Sequence, residues 1–433
     1  MTPSARISAA IEVLATLEAR PRPVADVLKE WGLAHRFAGS GDRAAIAGLV
    51  YDVLRRRASA AWIMGADTPR AILLGALRLA RNLDADAIAA LADGSRFAPA
   101  PLTGEERTRL AATNLDAAPP HVRGDYPEWL DPHLAATFGD GRAEEGAALA
   151  VRAPLDLRVN ALKTTPDKAL AALAHLAAAP ARWSPFGLRI PLPAEGKQPP
   201  VTSEPSFQKG WFEVQDEGSQ LAALLSGAAP GMQVLDLCAG SGGKTLALAG
   251  AMQNRGQLFA YDDDPRRLAP IHDRVKRSGA RTIQVRSPRG TKDVLEDLAG
   301  RMDLVLVDAP CTGTGVWRRH PDAKWRMRPG ALDIRVKEQA ALLDQAARFV
   351  KPGGRIAYVT CSVLDAENGA QVRAFLGRMP DFAAVPVAEF CRAIGDRGAI
   401  LRAAALESGE GLLLTPRRTE TDGFFVSVLR QSA

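Results

Sequence analysis

Two cysteines stand where a reaction centre is expected. Cys311 closes the stretch Asp303-Leu304-Val305-Leu306-Val307-Asp308-Ala309-Pro310-Cys311, and Cys361 closes Ile356-Ala357-Tyr358-Val359-Thr360-Cys361. Each is an apolar run with strand character that ends in a thiol, and the first also ends in a carboxylate, Asp308. A thiolate adds reversibly to electron-poor carbon, and a nearby acid steadies the charge that the addition creates. A single cysteine in such a place is often a buried structural residue. Two at equivalent strand ends converge on one crevice when the strands are parallel, and convergent reactive groups mark a site. Cys238 reads as structural, and Cys391 lies outside every motif. With no C-x-x-C pair and no histidine cluster, neither a metal site nor a disulfide framework is expected.

A second stretch supplies the partner for that chemistry. Val234-Leu235-Asp236-Leu237-Cys238-Ala239-Gly240-Ser241-Gly242-Gly243-Lys244-Thr245 begins as a strand, passes through glycines, and enters a helix at Leu246-Ala247-Leu248-Ala249. In doubly wound α/β sheets such a turn holds nucleotide-like ligands, because glycines admit the ligand and the helix start offers N–H donors. A phosphate-binding loop needs glycine where Cys238 stands, and a dinucleotide fingerprint needs glycine or alanine where Thr245 stands. S-adenosylmethionine (SAM) asks for less: a close-approach glycine loop and an acid at the end of the next strand, here Gln257-Leu258-Phe259-Ala260-Tyr261-Asp262. A methyl donor beside a thiolate points to methylation at carbon 5 of a pyrimidine. That carbon becomes nucleophilic once a thiolate adds to carbon 6 and makes it an enamine. Asp308 is placed to hydrogen-bond the ring nitrogen, and a base must finally take the carbon 5 proton.

Elements must hold these groups in place. From residue 231 onward strand and helix patterns alternate, with strands expected at 233–238, 258–262, 282–286, 304–308, 355–361, 412–415 and 423–429. The alternation predicts an α/β fold with a mainly parallel sheet covered on both faces. Residues 1–120 read as all helix, with Ile7, Ile11, Leu14 and Leu17 at helical spacing. Arg55, Arg56 and Arg57 end one helix as a basic cluster, suited equally to the helix dipole and to RNA phosphate. After a proline-marked linker around residues 99–120, a smaller unit has strands at 155–160 and 187–190 flanking a helix at 166–178. The 433 residues, 47% hydrophobic and 24% charged, allow two or three globular domains. A net charge of +6 favours an anionic partner, most commonly nucleic acid. No run approaches the ~18 apolar residues of a membrane span, and no leader precedes the amphipathic start, so a cytoplasmic protein is expected.

Taken together, Asp236 to Thr245, Asp308-Ala309-Pro310-Cys311 and Thr360-Cys361-Ser362 resemble the three main motifs of the Nop/Sun family of RNA 5-methylcytosine methyltransferases. Phe212-Glu213-Val214-Gln215-Asp216-Glu217-Gly218-Ser219-Gln220, Arg318-Arg319-His320-Pro321-Asp322-Ala323-Lys324-Trp325 and Asp422-Gly423-Phe424-Phe425 also match its pattern. The resemblance implies a Rossmann-like SAM-dependent methyltransferase sheet with Cys361 as attacking nucleophile and Cys311 assisting product release, a ranking the residues alone leave open. It assigns Cys238, Ala239, Gly240, Ser241, Gly242, Gly243, Lys244, Asp262 and Asp308 to SAM, and Lys244 and Asp308 also to catalysis. Arg318, Arg319, His320 and Lys324 form a basic loop suited to RNA, and Trp325 either stacks on a base or packs. The helical N-terminal region, including Asp42-Arg43 and Tyr51-Asp52-Val53-Leu54-Arg55, looks like the NusB-type RNA-binding domain found in the family's bacterial small-subunit ribosomal RNA enzymes.

The implied organisation is an all-α NusB-like domain over 1–125, a linker and small α+β RNA-binding subdomain over 126–215, and the catalytic domain over 216–433. The implied substrate is ribosomal RNA, with transfer RNA as a rival within the family and an RNA-binding assembly factor without methyl transfer as a rival outside it. Two departures stand out. Gly240 and Ser241 replace the Ala-Pro of the family's loop, exchanging a stiff pair for a flexible one, and no acid follows the third strand before Asp293, leaving Ser287 as an acceptor for the adenine amino group.

Overall fold

The structure is a computed structural model and describes every residue except 193–197, 289, 291 and 292. The chain divides into two compact units, one containing Met1–Arg152 and Trp317–Arg328, the other Ala153–Leu192, Pro199–Val316 and Pro329–Ala433.

The first unit is helical, as its periodicity predicts: α1 (Pro3–Ala19), α2 (Val24–Ala34), α3 (Ser40–Arg55), α4 (Arg57–Met64), α5 (Pro69–Ala80), α6 (Ala85–Leu91) and α7 (Gly104–Ala111). Starts are set by local chemistry. Thr2, Thr68 and Asp84 cap α1, α5 and α6 with side-chain oxygens, and Thr103 and Glu106 form a reciprocal capping box on α7. Ile7, Val13 and Leu14 of α1 meet Ile46, Val50 and Val53 of α3 and Leu73 and Leu74 of α5 in one core. Each such side chain contributes about 1.5–3 kcal/mol by leaving water.

The boundary expected at 125/126 does not separate compact units. Asp125 and Tyr126 are fully buried in the helical unit, where the Asp125 carboxylate accepts from the Ser59 amide at 2.9 Å and from its hydroxyl at 2.8 Å. Leu130, Leu134 and Leu149 are buried as well, so 126–152 continues the helical unit. The small α+β element is present, but inside the second unit. Strands β1 (Leu155–Val159), β2 (Ala179–Pro180), β3 (Gly187–Ile190) and β4 (Phe212–Val214) form an antiparallel sheet ordered β2-β3-β1-β4, with its own core of Leu155, Leu157, Leu188, Ile190 and Phe212.

The larger sheet contains β5 (Gln233–Asp236), β6 (Gln257–Tyr261), β7 (Ile283–Arg286), β8 (Met302–Asp308), β9 (Val350–Thr360), β10 (Phe382–Ala384), β11 (Leu406–Glu407), β12 (Leu412–Leu414) and β13 (Phe424–Gln431). Its order is β11-β12-β13-β9-β8-β5-β6-β7, with β10 pairing β13. Strands β7, β6, β5, β8 and β9 run parallel, and β13 lies antiparallel beside β9 from Phe425 opposite Thr360 to Arg430 opposite Arg355. The order reverses direction at β5, and ligands of such sheets bind at that switch point, outside the carboxyl ends. All seven expected strands form; β9 begins earlier than expected because Pro352-Gly353-Gly354 reads as a turn, and β10 and β11 are too short to show a period.

Candidate active site

Register brings the two thiols together. Strands β8 and β9 are neighbours with Asp308 opposite Val359, so the residues that follow, Ala309-Pro310-Cys311 and Thr360-Cys361, leave the sheet side by side. The sulfurs of Cys311 and Cys361 lie 3.2 Å apart as free, half-buried thiols. Contact with the Cys361 sulfur, then burial, pushes the Cys311 thiol well above its ordinary value. Cys311 therefore holds its proton in the free protein. Asp308 ends β8 on the same side, and its Oδ2 accepts from Lys244 Nζ at 2.6 Å. Lys244 is buried and lies over the Phe424 ring, so its charge is directed at that carboxylate.

Behind the sulfurs stands a buried network that sequence reasoning missed. Glu367 is fully buried and accepts from the Thr312 amide at 2.8 Å, the Thr312 hydroxyl, and Gln339 Nε2 at 3.0 Å. Gln339 also donates to the Pro310 carbonyl at 2.9 Å. Glu367 thus holds Thr312 directly and reaches the Pro310 side of Cys311 only through Gln339. On the other loop Thr360 donates to Asn368 Oδ1, and Asn368 Nδ2 donates to the Ser362 carbonyl at 2.9 Å, fixing both neighbours of Cys361. The Gly315 amide donates to the Cys361 carbonyl at 2.9 Å, and Gly315 packs directly on Gly423, whose amide donates to the Gly315 carbonyl at 2.8 Å. A Cβ on Gly315 would lie 2.2 Å from the Gly423 carbonyl oxygen, so the Asp422-Gly423 motif serves close packing. Nothing in the spacing of Glu367 or Gln339 distinguishes them from solvated helix residues.

The glycine loop fits the cofactor that the resemblance implies. Gly240 (φ +50°) and Gly242 (φ +86°) take left-handed conformations, and a Cβ on Gly242 would lie 2.5 Å from Cγ1 of Ile271. Gly242 then caps the helix Gly243–Ala251, whose first amides face the loop. Asp236 is buried; its Oδ2 accepts from the Thr245 hydroxyl at 2.6 Å, while Oδ1 has no hydrogen-bond partner. Burial pushes this carboxyl up to about 7. Asp262 ends the next strand as expected, with Oδ2 accepting from the Gly240 amide at 2.8 Å and Oδ1 from the Asp264 amide at 3.1 Å. The Arg267 guanidinium lies 3.6 Å from Oδ1, and Oδ2 keeps a second lone pair. Ser287 and Asp293 line one cavity of about 490 Å³ beyond β7. Cys238 and Cys391 are both buried.

The basic loop after Cys311 is the clearest correction. Lys324, expected at RNA phosphates, is 1% exposed and donates to the backbone carbonyls of Asp125 at 2.5 Å and Arg55 at 3.2 Å inside the helical unit. Arg318 is buried too, and its carbonyl accepts from Arg55 at 3.3 Å. Trp325 packs rather than stacks: its Nε1 donates to the Leu54 carbonyl at 2.6 Å. Arg319 is half-buried and His320 exposed. The Arg55–Arg57 cluster is likewise engaged, Arg56 with Asp125 at 3.4 Å and Arg57 with Asp67 at 2.9 Å.

Burial lowers Lys324 to about 7, while an unfolded lysine stays protonated to about 10.4. Between those values the unfolded chain holds the extra proton, so the stability of the helical unit rises with pH from roughly 7 to 10. Expressed as wild type minus Lys324→Met, the unfolding midpoint is expected to climb across that window; a flat difference would place Lys324 in solvent.

Residues 223–430 match the family described as 16S rRNA methyltransferase RsmB/F. Ribosomal RNA small subunit methyltransferase B of Sodalis glossinidius is 35% identical over 72% of this chain and 66% of its own length. Probable ribosomal RNA small subunit methyltransferase B of Synechocystis sp. is 32% identical over 71% of this chain and 67% of its own length. The chain thus spans about two thirds of the length of these relatives. The solved structure of PH0851 aligns with 100% of this chain and 99% of its own, at a TM-score of 0.70 and 26% identity. Among the described residues no helix is long and apolar enough to cross a membrane, and no group of three His, Cys, Asp or Glu side chains is gathered to hold a metal ion.

Proposed function

The chain belongs to the RsmB/F family of 16S rRNA methyltransferases, and from that membership we propose that it transfers a methyl group from SAM to carbon 5 of a cytosine in small-subunit ribosomal RNA, through a covalent cysteine adduct. The observation that carries this reading is the pair of sulfurs 3.2 Å apart beside Asp308 and Lys244. An enzyme methylating a nucleophilic nitrogen or oxygen has no use for two thiols there; carbon 5 needs one to activate and one to release.

In this reading the Cys361 thiolate adds to carbon 6 of the cytosine, and carbon 5 becomes the enamine carbon. Lys244, held in line by Asp308, donates to the ring nitrogen where negative charge gathers. SAM bound on the glycine loop supplies a methyl group on a sulfonium, a leaving group that needs no acid. Cys311, its own proton passed to water once the Cys361 sulfur is bonded to carbon, then takes the carbon 5 proton, directly or through one water, and the electrons of that C–H bond re-form the ring double bond as the Cys361 sulfur leaves carbon 6. Burial raises the Cys311 thiol, which makes its deprotonated form a strong base. Asp262 receives the ribose hydroxyls, Ser287 and Asp293 stand at the adenine end, and Arg319 and His320 of the basic loop contact RNA phosphates.

The test is to incubate the protein with SAM and either unmodified 16S rRNA or unmodified transfer RNA, then digest to nucleosides. The expected product is 5-methylcytidine from 16S rRNA. The same nucleoside from transfer RNA alone would move the substrate, and SAM binding without any methylated nucleoside would favour an assembly factor.

A further inference from the structure

Ser241 sits between two left-handed glycines and is exposed. A Gly-Ser-Gly-Gly run left to itself populates many backbone states, and a ligand that requires one of them binds weakly in proportion to the time spent in the others. One side chain acts against that freedom. Arg274, on the helix Ile271–Ser278, donates through Nη1 to the Ser241 carbonyl at 3.0 Å and to the Ser241 hydroxyl at 2.9 Å. The guanidinium is aimed by Glu213 of β4, whose Oε2 accepts from Arg274 Nε at 3.1 Å and Nη2 at 3.0 Å. Glu213 is buried, and its Oε1 accepts from Arg277 at 2.6 Å, so the carboxylate has little freedom of its own. On the far side of the loop Arg158 of β1, held by Gln215 at 2.5 Å, reaches the Gly243 carbonyl at 3.4 Å. The small sheet therefore supplies the splint that the loop's own sequence lacks.

We propose that Arg274 is a positioning residue for SAM: acting through Ser241 and oriented by Glu213, it holds the glycine loop in its ligand-accepting conformation before SAM arrives. The serine replaces the family's stiff proline with a group that accepts a hydrogen bond from a neighbouring helix, so rigidity is supplied from outside the loop. The inference rests on SAM being the ligand of this loop. It separates from direct contact because Ser241 and Arg274 would then form one coupled unit.

The test uses the full chain and SAM titration calorimetry on wild type, Ser241→Ala, Arg274→Ala and the double variant, with hydrogen exchange of the loop amides 239–244 in the SAM-free proteins. Arg274→Ala is expected to weaken SAM about tenfold and Ser241→Ala a few-fold, with the double variant no weaker than Arg274→Ala. Loop exchange should rise in Arg274→Ala by more than any fall in its unfolding midpoint accounts for, the remaining amides of the fold serving as the reference. Multiplying losses in the double variant would mean that Arg274 touches SAM itself, and unchanged affinity or unchanged loop exchange would equally overturn the inference. No heat from wild type would instead remove the SAM reading on which it rests.

Discussion

Cys361→Ser is expected to abolish methyl transfer, and Cys311→Ser to leave the protein covalently attached to its RNA. A serine hydroxyl at 361 has no deprotonated fraction to add to carbon 6, so the loss should be on the order of a thousandfold or more, as for other nucleophile deletions. At 311 the same substitution leaves the attacking sulfur intact but removes the base facing it at 3.2 Å. Addition and methyl transfer proceed, while elimination stalls. On a denaturing gel with SAM and unmodified 16S rRNA, Cys311→Ser should show a slow-migrating protein–RNA band that Cys361→Ser and the double variant lack. The converse pattern would exchange the roles of the two cysteines. A band in neither, from a wild type that methylates normally, would rule out the covalent route.

Glu367→Ala should cost the protein both stability and activity, in separable amounts. The alanine leaves the Thr312 amide, the Thr312 hydroxyl and the Gln339 amide group without the carboxylate that accepts from them. Stranding buried donors in this way costs about 3–5 kcal/mol. The Cys311 loop then loses its anchor at Thr312, and Gln339, which holds Pro310, loses its own partner; an ångström of drift in a reacting group is enough for a hundredfold loss of rate. The expected result is a lowered unfolding midpoint, methyl transfer down about a hundredfold, and SAM affinity close to wild type, since the glycine loop does not contact Glu367. Glu367→Gln keeps one accepting oxygen and the same shape, and should recover most of the rate. Equal losses for Gln and Ala would show that the charge matters rather than the anchoring.

Much of this arrangement was legible in the residues, for a physical reason. Strand ends in a parallel sheet share one rim, so Asp308, Cys311 and Cys361 could be assigned to a common crevice from their position after apolar runs. Left-handed glycines and the acid after β6 follow from the same logic. Charge was less informative. Lys324 looks like an RNA contact because lysine is normally solvated, yet its position on the short helix Pro321–Arg326 turns it toward the carbonyls of Arg55 and Asp125, far away in sequence. Partners of that kind leave no trace in local spacing. Glu367, Gln339 and Arg274 were invisible for the same reason: each acts through a backbone group of a distant loop. The domain boundary at 125/126 failed because prolines mark turns, and a turn within a helical unit reads the same as a linker.

The contact between Gly315 and Gly423 also sets a timetable. The Cys311 loop and the strand that backs it are about a hundred residues apart, so closing this contact is among the slower entropic steps of folding. Until β13 inserts, β9 is a long, largely apolar edge with unpaired backbone groups, the kind of surface that recruits strands from other molecules. During synthesis the half-built sheet must therefore wait for its last strand. Chains that stop short of residue 423 lack both the Gly423 backing and the strand that covers β9, and their expected fate is aggregation or proteolysis rather than partial activity.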